Sequence, residues 1–367
     1  MRISVRANIL KEVRLRCQSL GANNNSGYRQ EFEELNDVGK EYSTRAGDLV
    51  ANREKNRYPL VVPYDHSRVK LSLLDLQPHS DYINASYVPG GCTERDFICT
   101  QGPMRSTMAD FWRMVCEQNV KIIVMLTALK HKDVVLCDQY WPQERGTVSY
   151  GQVQVTTVSC KRGPDYFINT ILLRQRGCPG ERVITHYHYT LWPDMGVPKD
   201  AASLCAFTEH VRQHLDTLPL LGPTVVHCSA GVGRSGTFVT LMWLMQLCMR
   251  EIRPDVRAAV EDLRRHRVMM VQNLEQYIFV HQCLMHWMSG GTAEPQVSSV
   301  QSQASAPWGH NHHHTSSKRP SRGNRSKKHR QDTAQHTPQA RAQGSVEQLL
   351  NPANLLRRLL PASRHNT

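Results

Sequence analysis

Hydrophobic positions recur with two periods along this chain, and the change from one to the other outlines a fold. Val120–Leu126 is a β-type apolar run long enough for a buried central strand. Val153, Val155 and Thr157 alternate with polar neighbours after Gly151, and Arg182–Trp192 alternates aromatic and polar residues. Both stretches predict strands. Thr224-Val225-Val226 is another β-type run, opened by the turn pair Gly222-Pro223 and followed by a helix-like apolar stretch from Thr237 to Met249. Leu204, Phe207, Val211 and Leu215 repeat at helical spacing, with Asp200 placed to cap them. Val256, Val260 and Leu263 do the same after Pro254, and Tyr277, Val280 and Leu284 form a last stripe. These stripes predict core. Together the elements give an α/β (α+β type) fold, a twisted mixed β-sheet flanked by helices.

Composition sets the limits of that fold. Residues 1–27 are basic and then Asn-rich at Asn23–Asn25, which predicts an N-terminal arm, a short helix followed by a linker. Residues 28–288 have globular composition, and residues 289–367 read as a basic, mostly disordered tail. The tail (counted from 291) holds eleven Lys/Arg against three Asp/Glu, +8 of the chain's formal +13. No apolar run approaches the roughly 20 residues that span a membrane, and the N-terminus lacks the apolar core of a secretory signal. Eleven scattered cysteines fit a reducing compartment better than a disulfide framework, so a cytoplasmic location is expected.

The chemistry concentrates at residues 227–236, His-Cys-Ser-Ala-Gly-Val-Gly-Arg-Ser-Gly. Five small or apolar residues, Ser229, Ala230, Gly231, Val232 and Gly233, separate Cys228 from Arg234 between the predicted strand and helix. Glycines let successive N–H groups point inward, and the helix start adds positive potential, so the loop is an anion cradle. That environment depresses a thiol pKa. Arg234 supplies a planar fork for two phosphate oxygens, which lysine cannot. Nucleophile, oxyanion nest and bidentate clamp describe covalent phosphoryl transfer through sulfur, without a metal or cofactor. Ser235 is placed to hydrogen-bond the thiolate, and His227 reads as a structural histidine that holds the loop. The departing oxyanion of a phosphate ester needs a proton. Asp194, in Trp192-Pro193-Asp194 with Gly196 and Pro198 behind it, is the candidate general acid on a loop able to close.

The loop resembles the signature of the cysteine-dependent protein tyrosine phosphatases, and its ten-residue form is highly specific to them. The resemblance covers about residues 28–288 and implies the same sheet-and-helix architecture. It assigns Asp194 as the acid of the mobile loop, later the base of the second step. It assigns Gln272 as the residue that positions water and Gln276 as a second family glutamine, roles that the residues alone do not reveal. Asn56-Arg57-Tyr58 is similar to the phosphotyrosine-recognition segment, in which the Tyr58 ring walls a cleft too deep for phosphoserine. Asp81–Ser86 and Gln101-Gly102-Pro103 match framework motifs. Tyr64–Val69 and Phe32-Glu33-Glu34-Leu35 are similar to the receptor-type branch, which makes this chain the cytoplasmic part of a membrane receptor or a form without one. The expected partners are tyrosine-phosphorylated proteins.

Three positions depart from the family pattern. Leu60 stands where an Asp or Asn commonly holds the substrate backbone. His131 and Leu136 stand where a Glu and a Lys commonly support the arginine and the closed acid loop. They motivate an alternative, a weakly active or inactive phosphotyrosine-binding protein. In the tail, Lys318–Arg330 and the leucine pairs around Arg357-Arg358 suggest contact with a membrane surface or a partner, the solvated run being the simpler reading, while no nucleic acid is expected.

Overall fold

The computed structural model describes residues 4–193, 196–219 and 222–290. Its strands are β1 (Arg68–Lys70), β2 (Tyr82–Val88), β3 (Phe97–Thr100), β4 (Ile122–Met125), β5 (Lys130–His131), β6 (Val134–Val135), β7 (Thr147–Tyr150), β8 (Val153–Arg162), β9 (Tyr166–Gln175), β10 (Glu181–Tyr189) and β11 (Thr224–His227). Its helices are α1 (Val5–Glu34), α2 (Arg45–Asp48), α3 (Met108–Glu117), α4 (Ala201–Asp216), α5 (Gly233–Met249), α6 (Val256–His266) and α7 (Leu274–Met288). Nine strands form one mixed sheet in the order β1-β2-β3-β11-β4-β10-β9-β8-β7, and β5–β6 is a separate hairpin. β11 lies between β3 and β4, parallel to both, and β10 is parallel to β4 on its far side.

A parallel strand buried on both faces is apolar at successive positions, and β11 and β4 follow that rule. Val226 and Val124 enter the core beneath α1 and α4–α7. Val225 and Ile123 enter the opposite core, beneath α3 and the Tyr140–Trp141 pair. In such a sheet the crevice beyond the carboxyl ends of the parallel strands is where ligands bind. The chain leaves β11 there, at Cys228.

The helices start where their capping residues allow. The Asp200 carboxylate accepts from Ala202 N at 2.9 Å at the head of α4, Asp255 accepts from Ala258 N at 2.9 Å for α6, and Asn273 accepts from Gln276 N at 2.9 Å for α7. Two boundaries differ from the sequence expectation. Arg182–Trp192 reads as one strand, but β10 ends at Tyr189, where Thr190 N turns to bond Asp165 O at 3.1 Å. The helix expected from Thr237 begins at Gly233, so Arg234, Ser235 and Gly236 are its first turn.

The Asn-rich stretch expected as a linker is a tight left-handed turn instead. Asn23, Asn24 and Asn25 have φ of 50°, 57° and 63°, a conformation Asn tolerates better than other side-chain-bearing residues. Helical backbone continues on both sides, and Ile9, Val13, Leu20 and Tyr28 are buried in the same core as α7. The family-framework segments Asp81–Ser86 and Gln101-Gly102-Pro103 lie along β2, one strand removed from β11, and just beyond β3, where Gly102 N bonds Ser229 O. Asp194 and the tail from 291 onward, including Lys318–Arg330, lie outside the described residues.

Candidate active site

Cys228 follows the last residue of β11 and is 4% exposed. The Gly231 N–H points at its sulfur at 3.3 Å. Gly231 takes φ +75°, and a Cβ there would collide with the Thr100 carbonyl of the neighbouring strand, so the loop geometry requires glycine. The loop's carbonyls are drawn outward. Ala230 O and Gly231 O accept from the Arg267 guanidinium at 3.1 and 2.9 Å, and Ser229 O accepts from Gly102 N at 2.9 Å. With these carbonyls held on the far side, the Gly231 and Ser235 N–H groups face the Cys228 sulfur.

The thiol responds to this setting. Burial pushes its pKa up. The Ser235 hydroxyl, the Arg234 charge and the Ser235 and Gly231 N–H groups outweigh burial, and the net direction is down from the ordinary thiol value. The Ser235 hydroxyl is buried without a hydrogen bond of full geometry, so it acts on sulfur as a nearby O–H dipole. Cys99, on the neighbouring strand and outside that loop, is pushed up to about 12, with burial the largest cause.

Arg234 sits in the first turn of α5. Its Nη1 donates to Thr127 Oγ1 at 3.0 Å and Leu126 O at 3.3 Å, and its Nη2 donates to Pro193 O at 3.1 Å. The clamp is therefore bonded to the Trp192-Pro193 segment that leads to Asp194. Trp192 is 4% exposed and donates from Nε1 to Gly196 O at 3.3 Å.

The recognition segment is joined to the loop. Ser229 Oγ donates to Leu136 O at 2.8 Å, so the Tyr58 hydroxyl, 2.7 Å away, is the donor to Ser229 Oγ. Arg57 bonds Gly102 O, Pro103 O and Asp138 at 3.0, 2.9 and 3.1 Å, and Gln101 accepts from Arg57 N at 2.9 Å. Asn56 Oδ1 accepts from Asn84 Nδ2 at 3.0 Å, and Asn84 Oδ1 accepts from Arg267 at 2.9 Å. One continuous network thus fixes the Tyr58 wall against the floor of the cradle. Gln272 and Gln276 reach the same place. A Cβ on Gly233 would fall 2.9 Å from Gln272 Oε1 and 2.9 Å from Gln276 Nε2.

The structure brings together Cys228, Ser229, Ala230, Gly231, Val232, Gly233, Arg234, Ser235, Tyr58, Gln272 and Gln276. The departing positions resolve differently. Leu136 is 7% exposed and serves the loop through its carbonyl, not its side chain. His131 pairs with Val134 in the β5–β6 hairpin. Leu60 is 62% exposed beside Tyr58. Sequence reasoning missed Arg267, a fully buried guanidinium bonded to four neutral oxygens: Gly231 O, Ala230 O, Ser86 Oγ and Asn84 Oδ1. Nothing in the run Arg264-Arg265-His266-Arg267 tells the buried pair, Arg264 and Arg267, from the exposed Arg265. Only the end of α6 at His266 turns Arg267 inward.

Residues 52–286 match the family model described as protein-tyrosine phosphatase. The chain is 42% identical over 269 residues to receptor-type tyrosine-protein phosphatase V of Rattus norvegicus, covering 73% of this chain and 16% of that protein. It is 39% identical over 293 residues to a tyrosine-protein phosphatase Lar-like of Caenorhabditis elegans, covering 79% and 13%. It is 42% identical over 266 residues to receptor-type tyrosine-protein phosphatase eta of Homo sapiens, covering 72% and 20%. The matched part is at most about a fifth of each of these three curated relatives.

Proposed function

The chain belongs to the protein-tyrosine phosphatase family, and on that premise we propose that it hydrolyses phosphotyrosine in proteins through a phosphocysteine intermediate. The phosphate dianion enters the nest of loop N–H groups, and Arg234 holds two of its oxygens. The Cys228 thiolate attacks phosphorus, the bond to the phenol oxygen breaks, and Asp194 gives that oxygen its proton. The phenol leaves. Water, oriented by Gln272, then attacks phosphorus while Asp194 takes its proton. The S–P bond breaks, Ser235 eases the return of charge to sulfur, and inorganic phosphate is released.

The observation that carries this reading is the Cys228 sulfur, held low in pKa within reach of the Gly231 N–H, with Arg234 in the first turn of the helix behind it. Tyr58, bonded to Ser229, supports selectivity for an aryl phosphate because its ring walls the approach to sulfur. Tyrosine-phosphorylated proteins are the proposed partners. A cytoplasmic location is proposed from the receptor-type relatives and the free thiols, and no helix of the described residues is long and apolar enough to cross a membrane.

The test is turnover of a phosphotyrosine peptide by the purified chain. Wild type is expected to release phosphate, and a quenched reaction of Gln272→Ala to carry phosphate on Cys228. Cys228→Ser is expected to bind the peptide without turning it over, and turnover that survives this change refutes the mechanism. The binding-only alternative rests on Leu60, an exposed apolar side chain where a hydrogen-bonding group would grip the substrate backbone. A wild-type chain that binds the peptide and releases no phosphate would establish it.

A further inference from the structure

We propose that His186 and His188, two positions apart on one face of β10, are positioning residues for the two reacting groups of the loop. His186 orients Cys228 through Tyr140 and His227, and His188 orients Arg234 through Thr127. This inference rests on the phosphatase reading and adds residues to it.

Strand geometry places the pair. Side chains two apart share a face, so Ile184, His186 and His188 look into the core that holds Tyr140 and Trp141, while Tyr187 and Tyr189 look into the other. Asn169 is the residue directly opposite His186 on β9. The bonds then run without a gap. Asn169 Nδ2 lies 3.0 Å from His186 Nδ1, His186 Nε2 lies 2.8 Å from the Tyr140 hydroxyl, that hydroxyl lies 2.7 Å from His227 Nε2, and His227 Nδ1 lies 3.0 Å from Cys228 O.

Proton counting gives this chain one direction. A carbonyl only accepts, so His227 Nδ1 carries the hydrogen and its Nε2 is bare. Tyr140 must therefore donate to His227 and accept from His186 Nε2–H. His186 Nδ1 is then bare and takes its hydrogen from the Asn169 amide. Both rings are neutral in this arrangement, and burial keeps them so, holding His227 at about 3 and His186 well below its ordinary value. The titratable groups facing this chain are His188, Cys137 beside Tyr140, and Arg57 toward His227. The reversed tautomer of His227 would set a lone pair against the Cys228 carbonyl. The peptide plane that aims sulfur at the Gly231 N–H would turn.

The second branch is shorter. His188 Nε2 donates to Thr127 O at 2.8 Å, and Thr127 Oγ1 accepts from Arg234 Nη1 at 3.0 Å. β10 ends at Tyr189, three residues before Trp192-Pro193, whose Pro193 carbonyl also accepts from Arg234, so the strand stands next in the chain to the acid-bearing segment.

The test uses the whole chain with His186→Leu, His186→Gln and His188→Leu. It reads the pH dependence of Cys228 alkylation by iodoacetate and the protection given by inorganic phosphate, neither of which needs turnover, alongside kcat and KM on an aryl phosphate. His186→Leu is expected to slow alkylation at pH 6 and lower kcat, each by about tenfold, with KM held. His186→Gln, whose amide restores the donor to Tyr140, is expected to recover most of both. His188→Leu is expected to weaken phosphate protection and raise KM by about tenfold while leaving the alkylation profile in place. Should either leucine variant fail to fold, Tyr140→Phe severs the first branch and Thr127→Val the second, and the same shifts are expected of them. Folded variants that keep wild-type alkylation and phosphate protection overturn the proposal, even if wild type turns over substrate. A wild type without turnover defeats the phosphatase reading instead, and the alkylation and protection data still decide this one.

Discussion

Arg234 donates from Nη2 to the carbonyl oxygen of Pro193 at 3.1 Å, one residue ahead of Asp194. The proposed phosphate clamp and the backbone that leads to the proposed acid are thus directly bonded. Replacing the guanidinium with lysine keeps the charge but cannot serve Thr127, Pro193 and two phosphate oxygens at once. Arg234→Lys is expected to lower kcat/KM by roughly 10²–10³-fold, read as steady-state kinetics on an aryl phosphate. A loss under tenfold would mean that planarity at this position is dispensable.

Arg267 lies under the loop with four oxygen partners and no solvent exposure. Arg267→Leu leaves the Ala230 and Gly231 carbonyls buried and unmatched. At roughly 1–3 kcal/mol for each such group, stability is expected to fall by about 3 kcal/mol or more. Urea unfolding of the two proteins measures it, and an unshifted midpoint would contradict the assignment.

Gly231→Ala meets both a positive φ and the Thr100 carbonyl. Backbone strain alone costs roughly 1–3 kcal/mol, and relief requires the loop to move away from β3. The expected outcome is a folded protein, judged by circular dichroism, whose affinity for inorganic phosphate drops at least about tenfold. Wild-type affinity would show that the nest forms without this glycine.

Stability should depend on pH through three buried imidazoles. Burial lowers His227 to about 3, His281 to about 4 and His186 well below its ordinary value. Their folded-state values lie below those of the unfolded chain, near 6.5. The unfolded state binds more protons as pH falls, so the contribution is complete above pH 6.5 and is lost progressively down toward pH 4 and 3. Each group contributes a slope of roughly 1 kcal/mol per pH unit within that window. Urea midpoints at pH 7, 6 and 5 should decline steadily. A flat series would require these rings to be charged in the folded protein.

Leu60 is 62% exposed beside the recognition tyrosine. Leu60→Asp adds an acceptor for backbone N–H groups of a bound peptide at little cost to the fold. KM for a phosphotyrosine peptide is expected to fall roughly tenfold, the worth of one charged hydrogen bond, with KM for a small aryl phosphate unchanged. Equal change for both substrates would place position 60 outside the peptide path.

The parts legible in the sequence are those with a local cause. The strand ending at His227, the glycines of the loop and the caps at Asp200 and Asn273 all depend on neighbours within a few residues. The spacing of Cys228 and Arg234 was legible for the same reason. What escaped depends on distant pairing. Asn169 faces His186 only because β9 and β10 pair in one register, and Arg267 turns inward only because α6 stops one residue before it. The linker expected at Asn23–Asn25 failed for a related reason. Asn marks a turn, but nothing local tells that the helix before it folds back onto α7. Gln272 and Gln276 came from the resemblance, and the close approach to Gly233 supplies the geometry that periodicity lacked.

The guanidinium of Arg267 polarises the loop from its hidden side, whichever way the reaction runs. A floor wired in this manner does not distinguish the ester that arrives from the mineral anion that departs. In the proposed reaction, product would therefore be held where reactant was welcomed, and ambient phosphate is expected to act as a standing brake on the rate.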